Sequence, residues 1–190
     1  MDEKDAYFAG LLFADGSFER FDNPNWTPRT CLGLIDKGIV EKFATWIGGK
    51  VHRRTMTSKN HSDQWCVKVA NQNVFNFCDR HGVVSKVQVS LDLAQNLNFW
   101  RGFVDGDGSI GVYNQRGKLV IYNNSPVILM QFREYVSPVW DSCSVRPRQR
   151  NCYRMGSTSK GSEEIVQELY GGASVYIERK FDIFSEISNL

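Results

Sequence analysis

The chain has 190 residues, of which 42% are hydrophobic, 23% are charged and five are cysteine, with a net charge of +2. This is enough apolar material for one large domain or two small half-domains. No apolar run is long enough to span a bilayer, and the acidic start MDEKDAYF does not resemble a signal peptide, so we expect no membrane partner and an intracellular location. An odd number of cysteines without CxxC spacing indicates free thiols in a reducing compartment, either cytoplasm or an organelle matrix.

The first predicted element is a helix over residues 7–16, YFAGLLFADG, with Gly10 and Ala14 one turn apart. A hairpin follows, with turn residues at 23–25. The spacing of apolar residues predicts a helix over 37–49 that ends at two glycines. A second hairpin over 50–70 and a helix over 71–82 complete this half. Residues 81–98 then lead onward without a proline- or glycine-rich tether, so we expect the two halves of the chain to pack together.

The second half repeats the first. FWRGFVDGDG, residues 99–108, matches the first helix 92 residues earlier in the pairs Gly10/Gly102, Asp15/Asp107, Gly16/Gly108 and Ser17/Ser109. A hairpin over 109–123 is predicted to turn at residues 115–117. A helix over 125–136 carries Pro126 in its first turn, where proline is tolerated. A basic hairpin over 142–158 and helices over 162–172 and 173–188 follow.

The repeat predicts an α+β fold made of two pseudo-symmetric αββαββα halves, residues 1–98 and 99–190. Small residues at i and i+4 would let the two repeated helices approach closely. Gly16 and Gly108 suit a left-handed residue at the helix end. Asp15 and Asp107 would then lie side by side at two helix C-termini, where each opposes the helix dipole by about 0.3–1 kcal/mol. The two carboxylates would also repel each other.

A divalent cation between these carboxylates would offset both costs, and oxygen ligands suit Mg²⁺. Two alternatives were weighed. An EF-hand-like calcium loop at DGDGSI is disfavoured, because no register places an acidic residue at position 1 and glycine at position 6. A metal-free helix end suits one copy of the segment better than two copies with matched flanks.

Two stretches concentrate positive charge. Residues 142–160 and residues 50–61 contain lysine and arginine but no acidic residue. Such local basic stretches on a nearly neutral chain indicate a surface that faces a polyanion, although a single stretch of this kind is more often a solvated face.

FAGLLFADG (8–16) and WRGFVDGDG (100–108) resemble the two motifs of the double-motif LAGLIDADG homing endonucleases, and the resemblance covers nearly the whole chain. It implies that Asp15 and Asp107 bind metal. Phe13 stands where the family has its first aspartate, and Arg101 where it has alanine. GVVSKVQVSL (82–91) and YIERKFDIFSEI (176–187) resemble the segments that bring a basic residue to the active site. These segments contain Lys86 and Lys180.

A weaker match places Asp36 and Asn124 where the family often holds a polar residue that orders water. The resemblance implies Mg²⁺-dependent hydrolysis of double-stranded DNA across the minor groove, with short 3′ overhangs at a long asymmetric target. Ca²⁺ is expected to support binding without cleavage. The active form is expected to be a monomer, because both aspartates come from one chain.

The hairpins are expected to form the DNA surface. A strand of about 10 residues spans about 33 Å, so the two halves together would cover roughly 20 base pairs at about 3.4 Å each. Arginine and amide side chains on the strands are candidates for base contacts. The expected contacts are Arg20, Asn25, Arg29, Arg53 and Lys68 in the first half, and Tyr113, Gln115, Arg148, Arg150 and Arg154 in the second.

Other functions fit the same fold. An intron RNA maturase or a DNA-binding regulator without catalysis would share the architecture, but neither needs both aspartates and both lysines. A metal-free structural module leaves the paired acids unexplained.

Overall fold

The computed structural model describes residues 1–23, 25–55, 62–140, 143–149, 151–158 and 160–189. The first half contains α1 (Glu3–Asp15), β1 (Ser17–Glu19), β2 (Arg29–Leu34), α2 (Lys37–Ile47), β3 (His52–Arg54), β4 (Gln64–Ala70) and α3 (Gln72–Arg80). A short helix, α4 (Leu91–Ala94), leads to the second half. That half contains α5 (Leu97–Asp107), β5 (Gly108–Tyr113), β6 (Arg116–Asn123), α6 (Pro126–Val136), β7 (Val145–Gln149), β8 (Cys152–Thr158), α7 (Lys160–Tyr170) and α8 (Glu178–Ile187).

Each half forms one antiparallel four-stranded sheet. The strand orders are β1-β2-β4-β3 and β5-β6-β8-β7, so the two sheets have the same topology. This confirms the predicted α+β fold with pseudo-symmetric halves. The division between residues 98 and 99 stays a prediction, and it falls in the first turn of α5.

Local sequence explains where most helices begin and end. Asn71 caps α3 by accepting hydrogen bonds from the backbone N–H groups of Asn73 and Val74. Gly48 ends α2 with a φ of 77°, a left-handed conformation that glycine adopts without steric cost. Pro126 occupies the first turn of α6, as expected.

The two repeated helices, α1 and α5, pack directly against each other at the centre of the molecule. Glycine makes this approach possible. A Cβ added at Gly10 would lie 2.0 Å from the Phe99 carbonyl oxygen, and one added at Gly102 would lie 2.0 Å from the Tyr7 carbonyl oxygen. Aromatic side chains fill the space around the crossing, with the ring of Phe13 edge-on to that of Phe103. The predicted helix seam is therefore present.

Three predicted details were wrong. Gly16 and Gly108 are not left-handed, because their φ angles are −72° and −86°. They are glycine for another reason, since an added Cβ would lie 2.6 Å and 2.5 Å from the carbonyl oxygens of Leu12 and Val104. The β5–β6 hairpin turns at Asn114-Gln115 and not at 115–117.

The β5–β6 hairpin turns at these two residues because Asn114 and Gln115 both have positive φ (51° and 59°), which suits the twist of a two-residue hairpin. Helix α8 begins at Glu178 and not at 173, because the backbone N–H of Ile177 donates to a buried carboxylate of α5.

All five cysteines carry free thiols. Within the described part of the chain, no helix combines the length and apolar character required to cross a membrane.

The seam yields a stability prediction. Gly10→Ala should lower the free energy of unfolding by at least about 2 kcal/mol, because the new methyl group cannot fit without separating α1 from α5. Gly111→Ala is the matched control, since an added Cβ there meets no atom within 4 Å. Urea unfolding of both variants measures the difference. Equal stability of the two variants would contradict the close packing of the seam.

Candidate active site and nucleic-acid interface

Asp15 and Asp107 are the last residues of α1 and α5, so the helix crossing sets their positions. Asp107 is half-buried, whereas Asp15 reaches solvent. The Asp15 carboxylate lies against Gly106 of the opposite helix, because a Cβ added there would be 2.9 Å from its Oδ2. The glycine in the second motif therefore leaves room for the acid of the first.

Both carboxylates are held in an unfavourable environment. The pKa of Asp107 is raised to about 6, chiefly because the carboxyl is buried and also because of the negative charge of Asp15, although a hydrogen bond from Asn123 and the charges of Lys86 and Lys180 lower it. Desolvation by the surrounding protein also raises the pKa of Asp15, against the positive charges of Lys180 and Lys86. Ionising this pair therefore costs free energy when no cation is bound.

The two carboxylates fit a divalent metal. Their pKa values are raised, chiefly by burial, although Lys86 and Lys180 act against the shift, and a bound cation would favour the ionised carboxylates further. Among the described residues no group of three or more His, Cys, Asp or Glu side chains lies together. Mg²⁺ tolerates such a sparse set, because it commonly takes one or two carboxylates and completes its shell with water and phosphate oxygens.

Asp105, two residues before Asp107, has a different role. It is 1% exposed, and its oxygens accept hydrogen bonds from the Tyr7 hydroxyl (2.5 Å), the Tyr170 hydroxyl (2.6 Å) and the Ile177 N–H (2.9 Å). This carboxylate joins α5 to α1, α7 and the segment before α8. Its role is structural, and its partners could not be predicted from the sequence because they are distant along the chain.

Lys86 and Lys180 occupy equivalent places at the ends of the two motif helices. The Lys86 ammonium donates to the carbonyl oxygens of Ala14 (3.2 Å) and Gly16 (2.5 Å). Lys180 donates to those of Val104, Asp105 and Gly108, at 2.7, 2.6 and 2.8 Å. An ammonium group has three N–H donors, so Lys180 has none left, and Lys86 has one that no described residue occupies.

The environments of the two lysines also differ. Lys180 is 3% exposed, and desolvation lowers its pKa to about 8. Lys86 is half-buried, has a positive φ of 54°, and lines a cavity of about 310 Å³ together with Asp107, Asn123 and Asn124. Desolvation lowers the pKa of Lys86 as well. The two lysines are thus equivalent in position but not in access to a ligand.

Asp36 and Asn124 are not structural equivalents. Asp36 precedes α2 and Ser125 precedes α6, so these two residues correspond as N-caps. Asn124 lies one residue earlier, on the wall of the Asp107 cavity. The amide that contacts Asp107 belongs to Asn123, whose Nδ2 donates to Oδ2 at 2.6 Å.

The first sheet has one face covered by helices and one exposed face. Strand alternation places Arg29 and Lys68 on the exposed face, together with His52 and Arg54, which were not singled out. Glu19 on the same face contacts Lys68 at 2.5 Å and Arg29 at 3.7 Å.

Two of the expected contacts lie elsewhere. Arg20 pairs with Asp79 of α3 at 2.5 Å, on the helix-covered side of the sheet. Arg53 is opposite Trp65, whose ring lies under Lys37 of α2, so Arg53 faces the same covered side. Asn25 lies in the loop between β1 and β2. The sides on which Arg20 and Arg53 lie depend on how side chains alternate along the short edge strands β1 and β3. The sequence alone did not define the ends of these strands.

The exposed face of the second sheet is strongly basic. Tyr113 and Arg154 lie on it, and the Arg148 guanidinium lies 4.5 Å from the centre of the Tyr122 ring on the same face. Gln115 lies in the hairpin turn, and Arg150 lies outside the described residues. Strand register adds three residues that were not anticipated, Arg116, Lys118 and Arg146.

Comparison with known proteins agrees with the fold described above. Residues 94–138 match the family model of the LAGLIDADG-like domain. The fold is similar to that of I-DmoI, solved in complex with DNA and Mn, with a TM-score of 0.63, 11% sequence identity, and coverage of 89% of this chain and 97% of that chain. It is also similar to I-WcaI bound to its DNA recognition sequence, with a TM-score of 0.68, 12% identity, and coverage of 96% and 85%.

The chain has the LAGLIDADG homing endonuclease fold. A third similar structure is the LAGLIDADG meganuclease I-AabMI bound to uncleaved DNA, with a TM-score of 0.61, 11% identity, and coverage of 97% and 90%. No curated protein sequence matches the chain significantly. The resemblance noted in the two motifs is confirmed, and the fold extends over nearly the entire chain at low sequence identity.

The raised pKa of Asp107 predicts a gain in stability when its charge is removed. Between about pH 4 and pH 6 the unfolded chain loses this proton before the folded chain does, so the stability of the folded protein falls as pH rises through that window. Asp107→Asn should therefore be more stable than wild type at pH 7.5, by up to about 3 kcal/mol, and the gain should vanish below about pH 4.

Urea unfolding at several pH values measures this effect. Asp182→Asn serves as control, because Asp182 is exposed on α8. A loss of stability in Asp107→Asn at pH 7.5, with Asp182→Asn unchanged, would show that the carboxylate is not held at a cost.

Proposed function

We propose that the protein is a site-specific endonuclease that hydrolyses phosphodiesters of double-stranded DNA with a divalent metal, Mg²⁺ being the expected ion. The observation that carries the proposal is the pair of carboxylates, Asp15 and Asp107, at the crossing of α1 and α5, with an exposed basic sheet face in each half. Structures of the same fold have been solved with DNA and with Mn or Ca, which supports a metal and a nucleic-acid ligand.

The proposed roles follow from the contacts. Asp15 and Asp107 would hold the metal. Asn123 would keep the Asp107 carboxylate in one orientation through its 2.6 Å hydrogen bond. Lys86 retains one N–H and faces the Asp107 cavity, so it would donate to the phosphate as negative charge develops. Lys180 would act by holding the carbonyl groups at the end of α5 in place. Asn124, on the cavity wall, would orient water.

When bound, Mg²⁺ would activate a water molecule and stabilise charge on the phosphate and the leaving oxygen. The glycine-mediated approach of α1 and α5 brings the helix ends that carry Asp15 and Asp107 together, which supports a single site that would cut both strands near the same point. We further propose short 3′ overhangs, a minor-groove approach, and Ca²⁺ as an ion that permits binding without cleavage.

DNA would lie across both exposed sheet faces. Arg29, Lys68 and Arg54 in the first half, and Arg116, Lys118, Arg146, Arg148 and Arg154 in the second, would contact phosphates and base edges. Tyr113, Gln115 and the loop that carries Asn25 would extend the contact at its ends. A target of roughly 20 base pairs follows from the strand lengths and the duplex rise. One chain supplies both carboxylates, so we propose that it acts as a monomer.

Removal of either carboxylate tests the nuclease proposal. Asp15→Asn and Asp107→Asn should each abolish double-strand cleavage but leave binding affinity in Ca²⁺ within about threefold of wild type, because phosphate contacts by basic residues dominate affinity. The substrate is a duplex selected by cleavage from a randomised DNA library, and Asp182→Asn is the control. Full double-strand cleavage by either Asn variant would refute the assignment. A wild-type protein that cuts no DNA but promotes RNA splicing would establish the maturase alternative.

The free N–H of Lys86 leads to a kinetic prediction. Lys86→Met should slow cleavage of one strand by about 10²–10³, the loss typical of one donor to developing charge, with little change in affinity. Single-turnover cleavage of a strand-labelled duplex measures it. Lys160→Met is the control, because Lys160 is exposed and pairs with Glu164. Wild-type rates on both strands in Lys86→Met would contradict the role.

A further inference from the structure

The two sides of the site differ in the positively charged side chains that have an N–H group available for a phosphate. On the Asp107 side, Lys86 keeps one N–H for a phosphate. The equivalent lysine, Lys180, acts on Asp15 through its positive charge. All three of its N–H groups are bonded to backbone carbonyls at the end of α5. If both strands are cut, the phosphate near Asp15 needs a different donor.

Arg179 is the residue placed to supply it. It precedes Lys180 in α8, and the N–H of Ile177, two residues earlier, is fixed on the Asp105 carboxylate of α5. Its positive charge acts on Asp15, since it lowers the pKa of that carboxyl against the effect of burial. The Arg179 side chain is 50% exposed, so a phosphate can reach it.

Asp36 contacts only one edge of the Arg179 guanidinium, the edge that carries Nε. The Arg179 Nε donates to Asp36 Oδ1 at 2.8 Å and Oδ2 at 3.1 Å. Among the described residues no contact occupies its two Nη groups, and these carry the N–H donors that a guanidinium presents to phosphate. The carboxylate of Asp36, only 16% exposed, therefore fixes the side chain and leaves its binding edge free.

The second half contains an uncharged contact at the corresponding N-cap position. Ser125, the N-cap equivalent of Asp36, donates from its hydroxyl to the Val87 carbonyl, next to Lys86. Ser85 stands before Lys86 where Arg179 stands before Lys180. Each half thus contacts the segment of the other half that carries Lys86 or Lys180. Of these two contacts, only the one between Asp36 and Arg179 is a charged pair.

We propose that Arg179 contacts the DNA phosphate at the Asp15 side of the site and that Asp36 is its positioning residue, so that the two strands are cut with different donors. This inference rests on the proposed nuclease function. It assigns Asp36 to an arginine and not to a water molecule. Lys86 serves one strand and Arg179 serves the other.

Strand-resolved kinetics test the proposal, with the selected duplex labelled differently on each strand. Arg179→Gln should slow cleavage of one strand by about 10², leave the other within about threefold, and accumulate a nicked product. Lys86→Met should slow the opposite strand. Arg179→Lys, which keeps the charge but loses the planar fork, should show an intermediate loss on the strand affected by Arg179→Gln.

The role of Asp36 is tested by a double-mutant cycle. Asp36→Asn should slow only the Arg179 strand, by about tenfold, and the double variant should be no slower than Arg179→Gln, because Asp36 acts through the arginine. Arg20→Gln, which also breaks an arginine–aspartate pair but on the helix-covered side, is the control and should cut both strands at wild-type rates.

The outcomes separate this inference from the proposal beneath it. If wild type cuts and Arg179→Gln cuts both strands at unchanged rates, or slows both equally, the inference is wrong and the nuclease proposal stands. The same holds if Arg179→Gln and Lys86→Met slow the same strand. If wild type cuts no member of the library, the nuclease proposal falls and the inference with it.

Discussion

The close approach of α1 to α5 is the contact on which the rest of the structure depends. Backbone meets backbone at Gly10 and Gly102, where any side chain would lie about 2 Å from a carbonyl oxygen of the other helix. Apolar aromatic side chains surround this contact and contribute most of the favourable energy through burial. The same crossing fixes the relative position of two sheets and of two carboxylates. The two carboxylates are thereby carried by a pair of closely packed helices and not by loops.

The electrostatics of the site combine helix capping with carboxylate charge that the capping does not compensate. A helix C-terminus carries partial negative charge, and here an aspartate is added at each of two such ends. Lys86 and Lys180 offset the helix charge by donating to the terminal carbonyl groups, so the lysines stabilise the helix ends even without a ligand. What they leave uncompensated is the repulsion between Asp15 and Asp107. That remaining negative charge is what a cation would neutralise.

Much of this could be predicted from the sequence because it depends on local spacing. The repeated glycines and aspartates indicate the seam and the paired acids, and apolar periodicity indicates α2 and α6. The features that the sequence did not indicate depend on register or on distant partners. Arg20 and Arg53 have the right chemistry for DNA but lie on the covered side of short edge strands. Asn123 contacts Asp107 through strand pairing, and the use of all Lys180 donors appears only when three carbonyls converge.

The two halves share one topology but differ in their side chains. These differences affect how the protein would bind an asymmetric duplex. Phe13 packs in the seam where Asp105 instead gathers Tyr7, Tyr170 and the start of α8. The exposed faces of the two sheets also differ, in their charge. Glu19 neutralises part of the first face by pairing with Lys68 and Arg29.

The arginines of the second face form no ion pair within the described part of the chain. A carboxylate on a DNA-facing strand weakens phosphate attraction but can accept a hydrogen bond from cytosine, whereas unpaired arginines favour phosphate and guanine. The second half would therefore supply more of the affinity, and the first half more of the discrimination against wrong sequences.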